Sequence, residues 1–144
     1  KSDGVRLCLS NEEVAAALAR VAVEWFQRSP DLMAVGLSPD EAKEAGHPVI
    51  TGKFPLAANG RSLTQEAEKT GGFVRVVARE DDHRILGVQA VGTHVSELVG
   101  EWTLALEMGA LLEDIAGTIH AHPTMTEMTH EAVLATLGHA IHIA

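Results

Sequence analysis

His122 is followed by Pro123 and, five residues on, by Glu127, within the stretch His120-Ala-His122-Pro-Thr124-Met-Thr-Glu127. An imidazole titrates near neutral pH, and a carboxylate on its second nitrogen fixes the tautomer and stabilises the imidazolium. That is the equipment of general acid–base chemistry. Proline biases the preceding residue towards extended backbone, so His122 is expected ahead of a helix rather than within one. Thr124 then reads as an N-cap and Glu127 as N3, the spacing of a capping box. The same spacing leaves a second reading open, in which Glu127 satisfies only the backbone amide of Thr124 and His122 is a plain loop histidine. A base and its orienter should lie about 2.6–3.2 Å apart, with the other ring nitrogen facing a cleft.

His120, His122 and His130 also invite a metal reading. Alternating histidines in an extended segment point to opposite sides, and the chain's one cysteine, Cys8, is far away in sequence, so no metal site is assigned. Met125 and Met128 fall at helical spacing and read as core rather than as the wall of a substrate channel. His139 and His142 near the C-terminus read either as functional groups or as packing and helix-end groups, while His47 and His83 fall in predicted loops and are expected to be solvated. The chain carries 11 basic and 20 acidic residues, a formal charge of −9, which disfavours nucleic acid and anionic membrane surfaces as partners. No apolar run approaches the roughly 20 residues that span a bilayer. A soluble protein of the cytoplasm, or of the mitochondrial matrix in a eukaryote, is expected.

The elements that must position these residues follow from pattern. Val14, Leu18, Val21 and Trp25 form one apolar stripe, predicting an amphipathic helix over Val14–Gln27 within an N-terminal segment of residues 1–29. Leu32–Leu37 reads as a short strand, and Ser38-Pro39 opens a helix that Gly46 closes. Val49–Leu56 reads as a strand, and Ala57–Lys69 as a polar connection with a bend at Asn59-Gly60. Phe73–Arg79 and Arg84–Val91, flanking Glu80-Asp-Asp-His83, read as an antiparallel hairpin. Thr93 is expected to cap a helix from His94 to Met108 that buries Val95, Leu98, Val99, Trp102, Ala105 and Leu106. A short helix over Leu112–Ala116 and a last one over Met125–Leu137, stopped by Gly138, complete the chain. Strands followed by helices predict an α+β fold, one antiparallel sheet with helices packed on one face.

Several phrases in order carry a family resemblance: Ala34-Val-Gly-Leu37, Glu41-Ala-Lys-Glu-Ala-Gly46, Gly52-Lys-Phe-Pro-Leu-Ala-Ala-Asn-Gly-Arg61 and Ile85-Leu-Gly-Val-Gln-Ala-Val-Gly92. They continue with Leu104-Ala-Leu-Glu-Met-Gly109, Glu113-Asp-Ile-Ala116, the His120–Thr124 stretch and Gly138-His-Ala-Ile-His-Ile143. From Pro30 to Ile143 the chain resembles the C-terminal interface, or dimerisation, domain of dihydrolipoyl dehydrogenase, a flavoprotein disulfide reductase that uses FAD and NAD. The resemblance implies a domain over residues 30–144 with the same α+β fold. It implies His122 as the acid–base group, Glu127 as its orienting partner and a cis bond between His122 and Pro123. It also implies a homodimer, in which this histidine reaches the redox-active cysteines and flavin of the other subunit, and a possible place in a 2-oxo acid dehydrogenase complex. Thiol–disulfide exchange with dihydrolipoamide would then deliver electrons through FAD to NAD.

The departures are as informative. No Gly-x-Gly-x-x-Gly fingerprint for FAD or NAD occurs, and one cysteine cannot form a redox pair. The 144 residues suit one domain of ordinary size. The chain, which begins with lysine, is expected to be a fragment, an excised domain or one piece of a cleaved enzyme. Alone it is expected to bind neither FAD nor NAD and to be inactive. The alternative is a standalone dimerisation or protein-binding module without catalytic activity.

Overall fold

The computed structural model describes residues 32–66 and 71–143. The helix expected over Val14–Gln27 lies outside the described residues. Four strands, β1 (Leu32–Gly36), β2 (Val49–Pro55), β3 (Phe73–Arg79) and β4 (Ile85–Val91), form one sheet in the order β1-β4-β3-β2, with every neighbouring pair antiparallel. Val76 of β3 and Val35 of β1 both face Val88 of β4 in register. Alternation sends Val74, Val76, Val88 and Ala90 into the core, where they are fully or almost fully buried. On the other face Arg75 Nε donates to Gln89 Oε1 at 3.0 Å, and Gln89 Nε2 donates to the Leu37 carbonyl at 2.9 Å as the chain leaves β1.

Among the described residues five α-helices accompany the sheet: α1 (Pro39–Glu44), α2 (Gly60–Thr64), α3 (Val99–Met108), α4 (Leu112–Ala116) and α5 (Glu127–Thr136). Ser38 and Glu41 close a reciprocal capping box at α1. Helix α3 lies against β1 and β4, α5 against β2 and β3, and α4 against α5. The apolar residues that α3, α4 and α5 bury join the sheet's core cluster, so the α+β architecture with an antiparallel sheet is the one observed. Trp102 Nε1 donates to Thr129 Oγ1 at 2.9 Å, both groups buried, and ties α3 to α5 without leaving the indole N–H unpaired. Helix α5 sits so close to β2 that a Cβ at Gly52 would stand 2.3 Å from the Thr136 backbone nitrogen and 2.5 Å from the Ala132 carbonyl oxygen. Met125 and Met128 are buried in the core.

Three local expectations are corrected. Ala57–Lys69 is not a plain connection: a 3-10 turn over Leu56–Ala58 leads into α2, because the Asn59 side chain accepts the Ser62 N–H at 2.9 Å and caps the helix. Thr93 does not cap the next helix. His94 adopts a left-handed conformation with φ 63°, Val95–Leu98 forms a 3-10 turn, and α3 starts only at Val99. The last helix begins at Glu127 with Thr126 in the capping position, so Glu127 is N1 rather than N3. Among the described residues no helix is long and apolar enough to cross a membrane.

Candidate acid–base site

The loop before α5 turns sharply at a cis His122–Pro123 bond. Its position is fixed from another part of the chain. Asn59, itself buried, donates through Nδ2 to the Thr124 carbonyl at 3.1 Å, while its oxygen caps α2. Gly60 follows directly, and a Cβ there would lie 3.6 Å from His122 Cε1, so α2 begins against the imidazole.

His122 and Glu127 are brought together. Glu127 Oε1 lies 2.9 Å from His122 Nδ1, and Glu127 Oε2 accepts the Thr124 N–H at 2.8 Å. Both geometries left open by the spacing therefore occur at once, one on each carboxylate oxygen. Thr124 is not the N-cap, because its hydroxyl donates to the Ala121 carbonyl at 2.6 Å and contacts Thr126 Oγ1 at 2.8 Å. The imidazole is 73 % exposed and the carboxylate only 18 %. Burial pushes the Glu127 carboxyl up; the Thr124 amide, the His122 hydrogen bond and the positive charges of His122 and His142 outweigh it and hold the carboxyl below its ordinary range. Among the described residues His122 Nε2 has no partner. The His122 side chain lines a cleft of about 150 Å³ whose walls include Phe54, Asn59, Leu63, Glu131 and His142. A neutral ring with Nδ1–H on the carboxylate and a free Nε2 lone pair can take a proton from a group entering that cleft.

Residues 26–133 match the family described as pyridine nucleotide-disulphide oxidoreductase, dimerisation domain. The chain belongs to this family. The dimerisation domain is 58 % identical over 114 residues to dihydrolipoyl dehydrogenase of Pseudomonas aeruginosa, covering 79 % of this chain and 24 % of the relative. It is 50 % identical to dihydrolipoyl dehydrogenase 2 of Haloarcula marismortui, covering 78 % of this chain and 24 % of that one. The chain thus spans about a quarter of the length of the curated relatives it matches. Its fold is similar to that of the HOCl-induced flavoprotein disulfide reductase RclA from Escherichia coli, with a TM-score of 0.66 at 22 % identity over 71 % of this chain and 23 % of the other. The crystal structure of LpdA from Mycobacterium tuberculosis gives 0.64 at 24 %, over 71 % of this chain and 22 % of that one.

Around the pair, the dimerisation domain holds groups that local pattern does not reveal. His120 is nearly buried between two acceptors, with Nε2 2.8 Å from Glu101 Oε1 and Nδ1 3.0 Å from the Thr118 carbonyl. Its ring stacks on His130 at 5.1 Å, and His130 Nε2 donates to the Ala116 carbonyl at 3.1 Å. This cluster fastens the segment leading into His122 onto α3 and α5. His142, for which the sequence leaves functional, packing and helix-end readings open, meets the Glu131 carboxylate at 2.9 Å. His83 is not freely solvated, since its Nδ1 contacts the Glu113 carboxylate. His139 is exposed, and its backbone N–H donates to the Leu134 carbonyl.

Proposed function

We propose that this chain is the dimerisation domain of a dihydrolipoyl dehydrogenase, and that it supplies His122, oriented by Glu127, as the acid–base group for thiol–disulfide exchange with dihydrolipoamide. The observation that carries the reading is the Glu127 carboxylate on Nδ1 of a ring that lines the cleft, which leaves Nε2 without a partner among the described residues. Neutral His122 accepts the proton of the attacking thiol at Nε2. The thiolate so formed attacks a disulfide sulfur, and the second sulfur leaves as thiolate. Glu127 stabilises the imidazolium until the proton is passed on to a departing thiolate. Cys8 is the only cysteine, so the disulfide belongs to another domain or subunit.

FAD and NAD do not fit this chain's own residues. A dinucleotide site needs a strand–turn–helix with a glycine fingerprint in a parallel sheet, whereas the sheet here is antiparallel throughout. Both cofactors are therefore assigned to the remaining domains of the parent enzyme. A homodimer is part of the same reading. Leu104 and Met108 on α3, and Ile119, expose large apolar side chains of the kind an interface covers.

The test is His122→Gln in the full-length parent enzyme. Turnover should fall by roughly 10²- to 10⁴-fold with flavin content unchanged. Near-normal turnover would remove the acid–base assignment and leave the non-catalytic module, which the exposed apolar side chains equally favour.

A further inference from the structure

Glu131 follows Glu127 by one turn of α5, so the two carboxylates leave the same face of the helix. Only 4 % of the Glu131 side chain is exposed. Such a carboxylate is costly unless donors replace the water it has lost. Its Oε2 accepts the backbone N–H groups of Ile141 and His142, each at 3.2 Å, and its Oε1 lies 2.9 Å from His142 Nδ1. One side chain thus folds the segment after α5 back onto the helix. His142 repeats the arrangement of His122: Nδ1 on a glutamate, the ring about half exposed, and a place in the wall of the same cleft. The two amides alone would hold the tail. The ring adds a second chargeable group beside Glu127.

We propose that Glu131 and His142 form a second histidine–carboxylate couple that positions the first, fastening the C-terminal segment as a wall of the cleft and setting a titratable cation beside His122 and Glu127. His142 is a positioning residue that acts through Glu127. The titratable groups lining the cleft are His122 from the loop, Glu127 and Glu131 from α5, and His142 from the tail. Among the described residues the wall formed by β2 and α2 contributes uncharged groups, among them Phe54, Asn59 and Leu63. His142 is also one of the cations that hold the Glu127 carboxyl down against burial. The functional meaning rests on His122 being the acid–base group; the coupling between the two pairs does not.

The experiment is an NMR titration of the full chain, following glutamate carboxyl and histidine ring signals. In His142→Gln, a substitution at an exposed ring, the Glu127 titration should move to higher pH. In Glu131→Met, which removes both acceptor oxygens at similar volume, the amides of Ile141 and His142 should exchange about tenfold faster or more. An unmoved Glu127 titration in His142→Gln overturns the coupling, and it does so even if Glu131→Met fails to fold. Unchanged amide protection in a folded Glu131→Met variant overturns the anchoring. Neither readout depends on turnover, so failure of the acid–base assignment in the parent enzyme would be seen separately.

Discussion

Glu127 divides its two oxygens between a backbone amide and an imidazole, and this gives its protonation a signed effect on stability. Its proton affinity is lower in the folded chain than in the unfolded one, although burial acts in the opposite sense. The stabilisation is therefore complete above the ordinary carboxylate range and is lost as pH falls through the depressed folded value. Thermal unfolding of wild type and Glu127→Gln, compared across pH, should show a gap at neutral pH that closes in acid. In the parent enzyme Glu127→Gln should lower turnover less than His122→Gln, since the base survives with poorer orientation. Asn59→Ala removes the α2 cap and the bond to Thr124, and should cost about 1–2 kcal/mol in urea denaturation. The His122–Glu127 contact was legible in the sequence because the two residues lie only five positions apart, one in the loop and one at the start of α5. Asn59, Glu131 and His120 were not, because the partners that give them meaning are distant in the chain and only the tertiary fold brings them into reach.

At the level of elements, the contact between α5 and β2 governs the site, because α5 carries both glutamates. Gly52→Ala forces a methyl into the backbone of α5 and should destabilise by about 1–3 kcal/mol, read as a lower urea midpoint at constant slope. The strands were legible where β-branched runs alternate, as in β3 and β4, and α4 was read to the residue. Helix starts were less so. The 3-10 turn before α3 depends on the left-handed backbone of His94, and α2 on an asparagine cap inside what reads as a polar bend. In both places a short turn with poor periodicity takes its shape from what it packs against.

For the molecule as a whole, the proposed homodimer predicts sedimentation as a dimer at high micromolar concentration. Leu104→Glu together with Met108→Glu should shift the chain towards monomer without unfolding it, because both side chains are exposed in the single copy. The strand order has a separate consequence for how the chain folds. The central pair, β3 and β4, is joined by the short turn over residues 80–84, whereas β1 must find β4 across the whole stretch of residues 37–84. Closing the longer loop costs more entropy before any contact offsets it. Val88 tests the order, since Val76 faces it from the near strand and Val35 from the far one. Val76→Ala should slow folding, with φ about 0.5–0.8, while Val35→Ala should mainly speed unfolding, with φ about 0–0.3. A high φ at Val35 would instead put the edge strand in the folding nucleus.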